Sequence, residues 1–84
     1  MRIVIYPGTF DPIHSGHIDI AERASSLFDK LIFAVAVNND KKPLFSAEER
    51  IDMIMESMQH VDNVEAFSTE GLVADFARDY NAVA

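Results

Sequence analysis

There is no cysteine among the 84 residues, so neither a disulfide framework nor a thiolate metal site is available, which fits a reducing compartment. Basic side chains are scarce: seven Lys and Arg stand against fourteen Asp and Glu, a net charge of −7. Sequence-independent binding of nucleic acid depends on neutralising many phosphates with basic groups, so this balance argues against a polynucleotide partner. It leaves room for a small anion, which a few local cations and a helix N-terminus can hold. Long apolar runs are also missing. Met1-Arg2 is followed by only three strongly apolar residues before Tyr6-Pro7, and the run from Leu31 to Val37 is seven residues long. Neither a signal peptide nor a membrane span is visible, and a cytoplasmic location is expected. No internal repeat, low-complexity stretch or domain linker interrupts the chain.

What remains is ordinary globular composition, 49% hydrophobic and 25% charged, enough for one small domain over residues 1–84. Ile3-Val4-Ile5 predicts a strand, ended by Tyr6-Pro7-Gly8 because Pro7 lacks the N–H a ladder needs. From Ser15 the apolar residues Ile18, Ala21, Ala24, Leu27 and Phe28 recur at helical spacing. Leu31 to Val37 predicts a central buried strand. A polar loop, Asn38 to Pro43, leads to the capping box Ser46-Ala47-Glu48-Glu49 and the stripe Ile51, Ile54, Met55, Met58 of a second helix. Val64-Glu65-Ala66-Phe67 predicts a third, weaker strand. A third helix follows, capped by Ser68 or Thr69, with Leu72, Val73, Phe76, Ala77 and Tyr80 as its stripe.

Alternation of this kind implies an α/β fold: a Rossmann-like parallel sheet of right-handed βαβ units, three strands and three helices. Asn81 to Ala84 resembles the start of a fourth strand. A sheet that stops there has an open edge, so an incomplete domain is expected.

The chemistry concentrates in Gly8-Thr9-Phe10-Asp11-Pro12-Ile13-His14-Ser15-Gly16-His17. The segment crosses from a strand into a helix, and so sets a hydroxyl and two imidazoles beside free backbone N–H groups and the positive end of the helix dipole. That is an anion site, and histidines three apart at it suggest chemistry on phosphates. Asp11 is better suited to bracing the loop in an Asx-turn than to acting as a base. Met53, Met55 and Met58 have packing spacing, and Glu49 and Arg50 look like helix-start electrostatics. No group has the spacing of a protein metal site.

His14-Ser15-Gly16-His17 resembles the HxGH signature of the nucleotidyltransferase superfamily. The longer combination is more specific. Tyr6 to Pro12, Gly16 to Ile20, and Lys41-Lys42-Pro43-Leu44-Phe45-Ser46 with Glu48-Glu49-Arg50 resemble the bacterial-type phosphopantetheine adenylyltransferase family along essentially all 84 residues. Many members carry threonine where His14 stands. The resemblance implies transfer of an adenylyl group from ATP to 4′-phosphopantetheine, giving dephospho-coenzyme A and pyrophosphate, within a nucleotidyltransferase domain. It implies His17 and Lys41 as catalytic residues, and Thr9, Phe10, His14, Gly16 and His17 as the ATP site. Thr9, Lys41, Leu72 and Val73 would contact phosphopantetheine, with Lys41 favoured over Lys42. Magnesium would be held mainly by the ATP phosphates, and the full-length family forms hexamers, so a homo-oligomer is expected.

The family continues for roughly as many residues again, through an arginine-glycine motif and a serine-rich segment that complete the site. Without those donors little or no turnover is expected of the 84 residues alone. Two other readings keep the motif. One changes the acceptor to an alcohol phosphate such as glycerol phosphate, or to nicotinamide mononucleotide, against which the Lys41 to Arg50 match speaks. The other is a self-associating nucleotide-binding half-domain without turnover.

Overall fold

A computed structural model describes residues 2–37 and 44–69. Over these the order is β1 (Ile3–Gly8), α1 (Ser15–Leu27), β2 (Lys30–Ala36), α2 (Ala47–Ser57) and β3 (Val64–Thr69). The three strands form one parallel sheet in the order β1-β2-β3. The expected α/β architecture of βαβ units is therefore present. The third helix and the start of a fourth strand, residues 72 to 84 of the sequence reading, lie outside the described residues, as does the polar loop 38–43.

β2 shows why the middle strand is so apolar. Leu31 to Val35 are all within 1% of complete burial, and their side chains alternate between two clusters as the pleat requires. Leu31, Phe33 and Val35 meet Ala21 of α1, Ile54 of α2 and Met58 at the C-terminal cap of α2 on one face. Ile32 and Ala34 pack with Ile5 on the other. Both helices thus cover the same face of the sheet.

Several boundaries depart from the sequence reading. β1 runs on through Pro7 to Gly8, paired with Ala34 and Val35. Among the described residues β1 has a neighbour on one side only, where a missing N–H is tolerated. Ser68 and Thr69 continue β3, opposite Val35 and Ala36, and the helix that either was expected to cap lies outside the described residues.

The helix faces are rotated slightly from the predicted stripes. In α1 the buried positions are Ala21 and Ser25, while Leu27 is 70% exposed. The Ser25 hydroxyl is satisfied by donating to the Glu22 carbonyl at 2.9 Å. In α2 the buried positions are Arg50 and Ile54, and Met55 faces solvent at 41% exposure. The Asn63 amide closes the far end of α1, donating to the Ser25 and Phe28 carbonyls at 2.8 and 3.1 Å. No helix among the described residues is long and apolar enough to cross a membrane.

Candidate active site

The β1–α1 loop turns at Phe10, a non-glycine residue with φ 50°. Such a left-handed turn costs about 1–2 kcal/mol, and the Phe10 ring repays it by entering the core, where it is 2% exposed. It meets Tyr6, Phe33 and His17 edge-on, with centroids 5.1, 5.1 and 4.8 Å away. Gly8 makes this possible: a Cβ there would lie 2.9 Å from the Phe10 ring. The buried Phe10 ring therefore forms a wall behind His17.

Helix α1 is capped by two imidazoles. The Gly16 N–H donates to Nδ1 of His14 at 3.1 Å, and the His14 N–H donates to Nδ1 of His17 at 3.1 Å. This is the reciprocal logic of a capping box with histidine in both places. The rings stack with centroids 3.6 Å apart. Gly16 has no Cβ because the His14 ring occupies that space: an added Cβ would sit 3.0 Å from the His14 Cε1.

The cap dictates the tautomers. A neutral imidazole has one N–H and one acceptor nitrogen, and each Nδ1 is in use as an acceptor. Both rings therefore carry the proton on Nε2, which is left to donate elsewhere. Burial, and then the neighbouring His14, push the His17 pKa below its ordinary value of 6.5. His17 is accordingly a neutral N–H donor at pH 7. The first turn of α1 contains no acidic residue, so nothing there offsets the positive end of the helix dipole.

Thr9 is exposed, at the carboxyl end of β1 and within the same loop as the histidines. In open α/β sheets this rim is where ligands bind. The structure thus brings Thr9, Phe10, His14, Gly16 and His17 together. Lys41, Leu72 and Val73, like Lys42, lie outside the described residues. Among the described residues no three His, Cys, Asp or Glu side chains are grouped to hold a metal ion.

Two residues do more than the sequence reading assigned them. Asp11 does brace the loop, but not through a local Asx-turn. Its Oδ2 accepts from the Leu44 N–H at 2.7 Å and its Oδ1 from the Phe45 N–H at 3.0 Å, joining segments more than thirty residues apart. Arg50 is not a surface charge at a helix start. It is 3% exposed, and its guanidinium donates to the carbonyls of Thr9, Ala36 and Ser46 at 2.9, 3.1 and 3.3 Å. The available signal was its register: Arg50 lies four residues before Ile54 and eight before Met58, on the core-facing side of α2.

The chain matches the cytidylyltransferase-like family over residues 5–84. It is 54% identical over 82 residues to the phosphopantetheine adenylyltransferase of Clostridium botulinum (strain Alaska E43 / Type E3), covering 98% of this chain and 52% of that protein. To the phosphopantetheine adenylyltransferase of Haemophilus ducreyi it is 57% identical over 81 residues, covering 96% of this chain and 50% of that protein. The chain spans about half the length of the curated relatives it matches. Among solved structures, the NadR protein in complex with NR superposes with a TM-score of 0.71 at 25% identity, covering 82% of this chain and 20% of that one. The imidazole-capped helix therefore stands in a chain that belongs to the cytidylyltransferase-like family and is a homologue of the phosphopantetheine adenylyltransferases.

Proposed function

We propose that these residues serve adenylyl transfer from ATP to 4′-phosphopantetheine, giving dephospho-coenzyme A and pyrophosphate. The observation that carries the reading is the stacked His14–His17 cap, which frees two Nε2–H donors at a helix N-terminus bare of acidic side chains. The choice of acceptor rests on the identity to phosphopantetheine adenylyltransferases.

In this mechanism a phosphate oxygen of the acceptor attacks the α-phosphorus of ATP in line. A new P–O bond forms, the bond from the α-phosphorus to the bridging oxygen breaks, and pyrophosphate leaves with the electron pair. The acceptor is already an anion, so no general base is needed, and catalysis reduces to positioning and stabilisation of charge. His17 donates from Nε2 to the α-phosphate, where charge builds. His14 donates to the outer phosphates, and the dipole of α1 favours both. The Thr9 hydroxyl holds the acceptor phosphate, while the Thr9–Phe10 backbone and Gly16 lie against the nucleotide. Lys41 would neutralise the attacking phosphate, and Leu72 and Val73 would line the pantetheine arm. Magnesium would be held mainly by the ATP phosphates and would neutralise part of their charge, in keeping with a cation that retains several waters.

Pyrophosphate release with ATP and each of 4′-phosphopantetheine, glycerol 3-phosphate and nicotinamide mononucleotide tests the acceptor. Calorimetric titration with ATP tests the nucleotide site separately, because the 84 residues are expected to bind better than they turn over. Preference for either other acceptor would replace this reading. Failure to bind ATP, together with self-association on sizing, would favour the non-catalytic half-domain.

A further inference from the structure

Asp11 and Arg50 touch no position assigned to a reacting atom, yet they hold the loops of the site to one another. Arg50 acts from within. Its Nη1 donates both to the Thr9 carbonyl and to the Ala36 carbonyl at the end of β2, and its Nε to the Ser46 carbonyl at the cap of α2. Asp11 acts from the rim, with one carboxylate oxygen on each of the Leu44 and Phe45 amides. The Thr9–Asp11 loop is therefore tied to the approach to α2 at three successive residues, Leu44, Phe45 and Ser46, by two side chains of opposite charge.

The energetics of Arg50 point beyond stability. Among the described residues no carboxylate lies within ion-pair distance of it, and the partners found there for this nearly fully buried guanidinium are three carbonyl dipoles. Removing a cation from water is costly, and an apolar side chain of similar volume is often the more stable choice. What an apolar side chain could not do is hold three carbonyls from three segments at once. The rigid fork of a guanidinium does that, and a lysine ammonium does it less well.

We propose that Asp11 and Arg50 are positioning residues: they clamp the β1–α1 loop to the end of β2 and the start of α2, and so set where Thr9 stands for an incoming acceptor phosphate. This rests on the functional reading above. The imidazoles are held separately, by the cap of α1. Releasing the clamp therefore displaces Thr9 more than it displaces His14 and His17, and the acceptor feels the loss more than ATP does.

The test uses Asp11→Asn, Arg50→Lys and Arg50→Gln in the protein, each titrated calorimetrically with ATP and with 4′-phosphopantetheine. Amide hydrogen exchange is followed at Leu44 and Phe45, with β2 amides as the control. Asp11→Asn is expected to speed exchange at Leu44 and Phe45 and leave β2 unchanged. It is expected to weaken 4′-phosphopantetheine about tenfold, the scale of one charge-assisted hydrogen bond, and ATP by less than about threefold. Arg50→Lys should lose less acceptor affinity than Arg50→Gln, and if Arg50→Gln does not fold, Asp11→Asn and Arg50→Lys decide. A split of this kind is not produced by a general loss of stability, which lowers both affinities together. Unchanged exchange in Asp11→Asn, or equal losses for the two ligands, would overturn the positioning role alone. A wild-type protein that binds neither ligand would overturn the functional reading and this role with it.

Discussion

Helices α1 and α2 each follow a strand of the parallel sheet, and both are closed by a reciprocal cap, yet the two ends suit opposite partners. In α2 the Glu49 N–H donates to the Ser46 hydroxyl at 3.1 Å and Glu49 returns a carboxylate oxygen to the Ser46 N–H at 3.0 Å. Glu48 and Glu49 then place negative charge in the first turn, which meets the helix dipole internally. In α1 the same two bonds are accepted by imidazole nitrogens, and the first turn carries no acid. A carboxylate cap leaves only acceptors facing outward; an imidazole cap leaves donors. Cap chemistry, more than cap geometry, decides which end can receive a phosphate.

Exchanging the caps is the sharpest way to break that contrast. The double change His14→Ser with His17→Glu gives α1 the box of α2. Helix stability is expected to stay within about 1 kcal/mol, since one good cap replaces another. ATP affinity is expected to fall by more than about a hundredfold, because two imidazole N–H donors give way to a hydroxyl and a carboxylate. Calorimetry and thermal unfolding of the same sample separate the two effects, and retained ATP binding would show that the imidazoles are only caps.

The wall behind His17 comes next. Phe10→Ala removes a ring that is 2% exposed and is expected to cost about 3–5 kcal/mol in urea unfolding. Alanine keeps a Cβ, so the cost of the left-handed backbone at position 10 remains. A loss well below that range would mean that Tyr6 and Phe33 close over the gap.

Acid should distinguish the helices without mutation. Because the folded chain holds the His17 pKa below 6.5, the unfolded chain takes up the proton first as pH falls. The stability contributed by the neutral ring is complete above 6.5 and is lost as pH drops through the lowered folded value. A proton on Nδ1 also removes the acceptor for the His14 N–H, worth about 1 kcal/mol as a cap. The Tyr6 ring, 6.1 Å from His17, is the titratable neighbour contributed by the sheet. Amide exchange in the first turn of α1 should quicken over this range, with α2, whose cap has no imidazole, as the internal control.

The smallest effect is expected from Gly16→Ala. Alanine favours a helix over glycine by up to about 1 kcal/mol, while its Cβ would press the His14 ring at 3.0 Å. The two should nearly cancel in thermal unfolding. ATP affinity should still fall a few-fold, through the displaced imidazole, on the scale of a perturbed hydrogen bond. An unchanged affinity would show that His14 tolerates the shift.

Much of this site was legible because it is local. The Ser46–Glu49 box, the helix start at Ser15, and the co-location of Thr9 with His14 and His17 depend on residues only a few positions apart, for which spacing and chain geometry suffice. The apolar run from Leu31 likewise marks a strand, one whose residues Leu31 to Val35 are buried on both faces of the sheet. The misplaced stripes have a common cause. Hydrophobicity alone put Leu27 and Met55 on the core-facing stripes and left Arg50 as helix-start electrostatics, whereas Ser25 and Arg50 satisfy their polar atoms on nearby carbonyls and can therefore be buried.

The sequence by itself thus determined the alternation of strands and helices, the family, and the segment that carries the imidazoles, because periodicity, caps and a contiguous motif are encoded within one or two turns of chain. Only the tertiary structure decided which nitrogen of each histidine is free, why glycine stands at positions 8 and 16, and that Asp11 and Arg50 bind the rim together. Those facts depend on contacts between segments far apart in the chain, and on directions in space that no spacing along the chain can specify.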